Sequence, residues 1–155
     1  MQRVSRIAVP IVSAFLVLGA PWALAHHDAT GPVKHRMDFM EAMGEAMKGL
    51  GDMIQGKRAF DLAEARTHAR TLEEHMLVIL EQFPEGSTQD PSEALPIIWE
   101  EWPAFEEVAV RSQKESAEMR VILEDGADPQ AVLDQYVALG KACSACHDRY
   151  REPNS

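Results

Sequence analysis

The sequence is short of cysteine, of basic residues and of strand-type patterning, and each shortage excludes a class of protein. Only two cysteines occur in 155 residues, so the chain is not a small domain held together by several disulfides. The 15 basic residues are outnumbered by 25 acidic ones, which argues against a nucleic-acid binder, since such a protein must neutralise phosphates. No stretch sustains the apolar–polar alternation of a half-buried strand. The remaining class is a single globular domain with an acidic surface.

The N-terminal segment has the pattern of a targeting sequence. Two arginines precede an apolar run over 7–18, and a small-residue pattern ends at Ala25. This order predicts a cleaved secretory signal peptide over 1–25, followed by one domain over 26–155. An uncleaved anchor is the alternative, but the run is shorter than the roughly 20 residues that a spanning helix needs. We therefore expect an exported, periplasmic protein without stable membrane insertion.

The rest of the chain has helical periodicity. Apolar residues recur at intervals of three and four in stretches separated by Gly, Pro and Asx residues. Short links between such helices favour an all-α, up-and-down antiparallel four-helix bundle. Pro103 conflicts with an unbroken third helix, which is either kinked there or begins there.

The predicted helices are 32–55, 61–82, 96–124 and, after an N-cap at Asp128, 129–150. Their spacing predicts the inner face of each helix. On the second helix this face holds Ala65, Ala69, Leu72, Met76, Ile79 and Phe83, and on the third it holds Ile98, Trp102, Phe105, Ala109, Ser112, Ser116, Met119 and Leu123. On the fourth, the residues that share a face are Leu133, Tyr136, Val137, Gly140, Cys143, His147 and Tyr150.

The strongest motif lies in the fourth helix. Cys143, Cys146 and the adjacent His147 match the attachment pattern of c-type haem. Helical spacing places all three on one face, so two thioethers and one imidazole can hold the same porphyrin and its iron. Gly140, one turn earlier, leaves space for a flat ring. A thioredoxin-like pair, a zinc site or a simple disulfide fits less well, because the chain lacks the strands or the fourth ligand that the first two require.

Four segments together match one known family. They are the C-terminal stretch 140–151, Ile98 and Trp99 followed by Phe105, the loop 83–87, and Arg36 with Met40 four residues on. They resemble the class II c-type cytochromes, the cytochrome c′ family, over nearly the whole chain after the signal peptide. The resemblance implies a four-helix bundle with one covalently attached haem c and His147 as the proximal iron ligand.

The resemblance places Met40 over the distal face of the haem, and this position decides the function. A methionine ligand there is typical of the low-spin branch of the family and suits a non-enzymatic, outer-sphere electron carrier. Methionines Met37 and Met43, and His35, are alternative ligands, and Met40 can also be plain core packing. If Met40 does not bind iron, the alternative is a five-coordinate cytochrome c′ that binds or sequesters NO or CO.

The remaining expectations concern contacts of the haem and of the whole protein. Arg36 lies one turn from Met40 on the same face and is either a solvated cation or the partner of a haem propionate. The resemblance implies that Ser87 and Thr88 donate hydrogen bonds to the propionates. We expect Trp99 and Phe105 in the core and in the wall of the haem pocket. The acidic surface favours redox partners with a basic docking patch and argues against nucleic acid. The resemblance also implies a homodimer through the first two helices. A peroxide-reducing enzyme is a weaker option, since we find no histidine placed for acid–base chemistry over the iron.

Overall fold

The computed structural model describes residues 29–153, and this part of the chain is all-helical. Its only ladder-type contact is an isolated antiparallel bridge between Ala94 and Arg151. The predicted all-α fold is therefore confirmed, with one short helix and one 3-10 turn added to the four long helices. The elements are α1 (Gly31–Ile54), α2 (Leu62–Leu77), the 3-10 turn Ile79–Gln82, α3 (Ile97–Glu100), α4 (Trp102–Glu124) and α5 (Pro129–Tyr150).

The four long helices form a bundle in which one pair is packed less closely than the others. Helix α1 packs on α2, α2 on α4 and α4 on α5, whereas α1 and α5 touch over a short length only. At that contact the Tyr136 hydroxyl of α5 donates a hydrogen bond to the Met47 carbonyl of α1 (3.3 Å). Gly51 permits the approach, because a Cβ there would lie 2.4 Å from the Tyr136 hydroxyl oxygen. Elsewhere along α1 and α5, a cavity separates the two helices.

The ends of α1 and α5 follow from local sequence, as predicted. Pro32 lies in the first turn of α1, where its missing N–H has no intrahelical partner. Gly56, just beyond α1, has a φ of +69°, which L side chains rarely adopt. At the start of α5, the Asp128 carboxylate accepts a hydrogen bond from the Ala131 N–H (2.9 Å) and caps the helix.

Two predicted helices are wrong in extent. Helix α2 ends at Leu77, and the chain continues as the 3-10 turn Ile79–Gln82. The turn ends before Phe83, where the following Pro84 disfavours helical geometry. The single third helix is split into α3 and α4. Pro103 is the second residue of α4, where no helical hydrogen bond is lost, so the alternative start near Pro103 fits the structure.

The predicted buried faces are correct on α2 and nearly so on α4, but not on α5. Leu133 and Val137 of α5 are 40% and 44% exposed, although we predicted them to share a face with Cys143. Val132 and Leu139 are buried in their place. Each residue turns a helix by about 100°, so a one-position error in register moves a side chain from the core to solvent. The core face and the cavity face of α5 are adjacent, and the prediction merged them.

The end of α5 is tied to the loop before α3. Leu95 N–H donates to the Tyr150 carbonyl (3.0 Å), and Glu152 N–H donates to the Glu93 carbonyl (2.8 Å). These two bonds hold the C-terminal segment against one edge of the cavity.

Between residues 29 and 153, no helix is both long enough and apolar enough to cross a membrane. The predicted signal peptide over 1–25 lies outside the described residues.

Candidate haem-binding site

A cavity of about 1200 Å³ lies between the N-terminal half of α1 and the C-terminal half of α5. Pockets for small molecules and cofactors usually span about 300 to 1000 Å³, so this one has room for a porphyrin-sized ligand. Phe83, the loop before α3, and the first half of α4 close its other sides. Its two long walls are formed by Arg36, Met37, Met40, Met43 and Met47 of α1 and by Gly140, Cys143, Cys146, His147 and Tyr150 of α5.

The α5 wall carries the three residues of the predicted attachment motif. Cys143, Cys146 and His147 are half-buried and all line the cavity. Positions three and four apart on a helix lie on one face, which explains why the motif reaches a common space. Neither cysteine is in a disulfide, so both sulfurs are available for thioether bonds. The structure thus brings these predicted residues together.

The electrostatics of the motif argue against the redox-pair alternative. Burial raises the pKa of the Cys143 thiol, and burial with the neighbouring Cys143 charge raises the pKa of Cys146 to about 11. Redox-active Cys-x-x-Cys pairs have a lowered pKa, which these cysteines lack. Burial, helped by the charge of Arg151, lowers the pKa of His147. Its imidazole is therefore neutral near pH 7, which is the form that binds metals.

Gly140 has no role in protein packing that would explain its presence in the middle of α5. A Cβ built there would meet no atom of another element within 4 Å, and the space beside it belongs to the cavity. Glycine inside a helix costs about 1 kcal/mol relative to alanine. A planar ring lying close to the backbone would account for it.

The α1 wall is rich in thioethers. Met37, Met40, Met43 and Met47 all line the cavity, and Met43 is the most buried of the four. Their spacing of three, three and four residues puts them along one side of α1. Met40 is thus placed in the cavity as predicted, and Met37 and Met43, the predicted reserve ligands, lie beside it.

Arg36 is a buried cation on the same wall. It is 5% exposed, and its terminal nitrogens donate to the Ser87 hydroxyl (2.9 Å), the Ser87 carbonyl (2.7 Å), the Gln82 carbonyl (3.2 Å) and the Ser92 hydroxyl (2.5 Å). Its Cζ also lies 4.9 Å from the centroid of the Phe83 ring. All four acceptors are neutral, and no carboxylate in the described chain forms an ion pair with Arg36. An uncompensated buried cation facing a cavity suits a ligand with carboxylate groups, such as haem.

Ser87 and Thr88, the other residues predicted to contact the propionates, do not line the cavity. Ser87 is buried against Arg36 and is not on the cavity wall, and Thr88 is half-buried and also off the wall. Their direct contact with propionates stays a prediction. Ser92, which sequence reasoning missed, lines the cavity and accepts a hydrogen bond from Arg36. A lone serine in a loop carries no signal that could have identified it.

Aromatic side chains form the end of the cavity nearest α4. The Phe105 ring lies 4.8 Å from that of Phe83 and 5.1 Å from that of Tyr150, each in an edge-on arrangement. All three line the cavity and are buried, as expected for Phe105. Trp99, also expected in the pocket wall, is not on the cavity. Its indole N–H donates instead to the Phe83 carbonyl (3.1 Å).

The other histidines of the described chain lie away from the cavity, and only His147 lines it. His35 is exposed. His68 contacts the Glu64 carboxylate (3.3 Å), and the His75 ring packs 4.5 Å from the Phe39 ring. His35 is therefore poorly placed as the alternative iron ligand.

The bundle and its motif define the class of this protein, and the similarity of its sequence to known proteins defines its family. A bundle of this kind with Cys-x-x-Cys-His on its last helix defines a four-helix c-type haem protein. Residues 31–151 match the family described as Cytochrome C′, and the chain belongs to that family. Cytochrome c′ of Halomonas halodenitrificans is 32% identical over 124 residues, covering 77% of this chain and 94% of that protein. Cytochrome c-556 of Agrobacterium tumefaciens strain B2A is 31% identical, covering 78% of this chain and 97% of that protein.

Solved structures agree on the fold. Cytochrome c prime from Shewanella frigidimarina superposes with a TM-score of 0.75 at 25% identity, covering 81% of this chain and 100% of that one. A nitric oxide complex of a cytochrome c prime mutant from Alcaligenes xylosoxidans has a TM-score of 0.71 at 21% identity, covering 79% and 94%. The predicted four-helix bundle is therefore confirmed.

The predicted cofactor is also confirmed. Proteins of the cytochrome c′ family carry one covalently attached haem c with iron. The residues present here fit that group: two free thiols and a neutral imidazole on one wall, an unfilled space beside Gly140, and the unpaired cation of Arg36.

Proposed function

We propose that this protein is a cytochrome c′ that binds a diatomic gas, NO or CO, at an open distal position of its haem. The observation that carries the proposal is the family match over residues 31–151, since NO and CO complexes are among the solved structures of cytochromes c prime. The cavity is compatible with an open distal position, because His147 lines its α5 wall and no described histidine lines its α1 wall. We therefore prefer gas binding, our alternative from the sequence, to electron transfer.

The chemistry is divided between cofactor and chain. When bound, haem iron supplies a coordination position that a small neutral molecule can occupy. His147 would hold the proximal side through its neutral imidazole nitrogen. Met40, Met43 and Met47 would form an apolar wall that disfavours water and anions but leaves a small uncharged gas unaffected. Arg36 would fix the carboxylates of the porphyrin and so the tilt of the ring.

Family membership supports the same function. Complexes with NO, and in one case with CO, have been solved for the cytochrome c prime of Alcaligenes xylosoxidans. That protein is about one-fifth identical to this chain, so the support comes from the shared fold and from the family as a whole.

Electron transfer is the second candidate, and the position of Met40 favours it. Met40 lies on the cavity wall one turn from Arg36, and a thioether is a suitable sixth ligand for haem iron. Histidine–methionine ligation would raise the reduction potential and close the site to gases. The acidic surface would then steer the protein to a basic redox partner.

Visible spectra of the holoprotein separate the two functions. An open site gives a broad, high-spin ferrous spectrum that shifts when CO is added. Met40→Leu should keep that spectrum and change only the affinity for CO, and Met119→Leu, in the α4 core away from the cavity, should change neither. A narrow, split low-spin spectrum that ignores CO, and that Met40→Leu converts to the high-spin form, would overturn our proposal in favour of the carrier.

We also propose where the protein acts, how it assembles and that it binds without catalysing a reaction. Export of a protein with a signal peptide over 1–25 would place it in the periplasm, where family members act. One solved neighbour of 16% identity is described as undergoing ligand-controlled dimer dissociation, and we propose a homodimer through α1 and α2 here. We propose a binding role without enzymatic turnover, because reversible binding of a gas needs no acid–base side chain.

A further inference from the structure

A second concave site lies on the outside of the haem cavity. It is a surface cleft of about 390 Å³ lined by Phe83, Glu85, Trp99 and Trp102, and we call it the aromatic cleft. Phe83 is shared, since it also lines the haem cavity. Neither gas binding nor electron transfer requires a cleft here, so its composition needs a separate explanation.

The rings of the cleft are held in place before any ligand binds. The Trp99 indole N–H donates to the Phe83 carbonyl (3.1 Å), which fixes the orientation of that ring. The Trp102 ring packs 5.4 Å from buried Phe105, which in turn lies 4.8 Å from Phe83. Both tryptophans are half-buried, so each ring is anchored on one side and accessible on the other. Preorganised rings lose little conformational entropy on binding.

The cleft carries one charged group, and it is negative. Glu85 is exposed, and no ion pair of its carboxylate is found in the described part of the chain. The protein as a whole has a formal net charge of −10, which adds long-range attraction for cations. One face of Phe83 already holds the Arg36 guanidinium at 4.9 Å, so the two indole rings are the surfaces available to a second cation.

We propose that the aromatic cleft binds an organic cation, an alkylated ammonium or a guanidinium group. Such cations are attracted to the electron-rich faces of tryptophan, which is the strongest cation–π partner among the side chains. Their apolar or flat surfaces pack against rings, whereas a strongly hydrated metal ion would keep its water. Glu85 adds a counter-charge at the rim. Because Phe83 lines both the aromatic cleft and the haem cavity, a cation bound in the cleft, free or on an arginine side chain of a partner protein, would lie beside the haem site.

The test uses the holoprotein and a pair of probes matched in shape. Choline and its neutral isostere 3,3-dimethylbutanol are titrated while the indole N–H resonances of Trp99 and Trp102 are followed by NMR. We expect choline to shift both resonances and to bind at least about threefold more tightly than the alcohol. The proposal would be overturned if choline and the alcohol bound equally tightly, or if neither choline nor ethylguanidinium shifted the indole resonances up to about 50 mM.

Two variants and one control locate the binding. Glu85→Gln should weaken choline binding about threefold, and Trp102→Leu should weaken it about tenfold or abolish it. Glu118→Gln removes one exposed charge from α4 away from the cleft and should leave the affinity unchanged. If Trp102→Leu fails to fold, Glu85→Gln still decides. Unchanged binding in Glu85→Gln with the indole resonances unmoved would place the cation elsewhere and refute the assignment.

A third probe identifies the source of the cation. Ethylguanidinium represents an arginine side chain, and choline represents a free alkylated ammonium compound. Binding of either one at the indole resonances supports the proposal, and the tighter one names the kind of ligand. Because this test reads tryptophan signals, its failure leaves the CO spectra and the proposed gas-binding function unaffected.

Discussion

The two long walls of the haem cavity differ in how their chemistry is built. On α5, the functional residues form one continuous motif, and the helix that presents them starts at a capped end and finishes tied to the loop before α3. On α1, the methionines come from the same helix, but Arg36 depends on residues far along the chain. The first wall is fixed by local geometry and the second by tertiary contacts.

This difference explains why attachment of the cofactor is easier to infer than its function. The α5 wall decides that haem is bound, because helical spacing alone brings the two sulfurs and the imidazole together. The α1 wall decides which molecules the iron can bind, because a methionine thioether beside the haem either ligates the iron or only packs against the ring. Variants on the α5 wall should therefore affect attachment of the cofactor, whereas variants on the α1 wall should affect binding at the iron and the stability of the fold.

The largest effect is expected on the α5 wall. Replacing Cys143 and Cys146 together by alanine removes both thioether positions and should abolish covalent haem attachment. Haem staining of the denatured protein and its intact mass measure this directly. Met40→Leu on the α1 wall should leave attachment complete. A double-alanine variant that retains haem after denaturation would contradict the assignment of the α5 wall.

The next effect tests the long-range contacts of the α1 wall. Arg36→Ala should destabilise the holoprotein by about 3 kcal/mol, since it leaves two serine hydroxyls and the carbonyls of Gln82 and Ser87 without their donor. Urea unfolding followed by helical circular dichroism gives the free energy. Lys48→Ala, on the same helix, breaks an exposed pair with Asp52 away from the cavity and should cost no more than about 0.5 kcal/mol. Equal losses would mean that the buried network contributes little.

The same difference between local and long-range contacts determines which features could be predicted from the sequence. Cys143, Cys146 and His147 were found because their relation is encoded in five consecutive residues. The start of α5 was found because Asp128 and Pro129 are local signals with a known geometry. Residues that are close together in the sequence of such a segment are also close together in space.

Arg36 shows the limit of that reasoning. A haem propionate was predicted as its partner. In the structure its hydrogen-bond acceptors are 46 to 56 residues away, in a segment whose path depends on the whole bundle. Ser92 could not be identified for the same reason. The split between α3 and α4 was ambiguous because Pro103 allows both a kink and a start. The exposed positions Leu133 and Val137 were misassigned because adjacent faces of α5 serve the core and the cavity.

A smaller effect concerns the glycines of the two walls. Gly44 on α1 and Gly140 on α5 are both helical and both line the cavity, and a Cβ at either would meet no protein atom of another element within 4 Å, but Gly44 is exposed to solvent whereas Gly140 is half-buried. Gly44→Ala should therefore stabilise the holoprotein by about 1 kcal/mol. Gly140→Ala should not, because the added methyl would point into space that the porphyrin needs. The same gain in both variants, measured by urea unfolding, would remove the case that Gly140 serves the cofactor.

The smallest effect concerns how firmly each wall begins. The Asp128 carboxylate caps α5, whereas Thr30, at the corresponding position of α1, makes no side-chain cap. Asp128→Ala should cost between about 0.5 and 1 kcal/mol in urea unfolding, and Thr30→Ala should be neutral within about 0.3 kcal/mol. Comparable costs would show that α1 is also fixed by its own sequence at its start. A cost confined to Asp128 would mean that the haem-attaching helix is set locally, and that the distal wall takes its position from the loop that Arg36 binds.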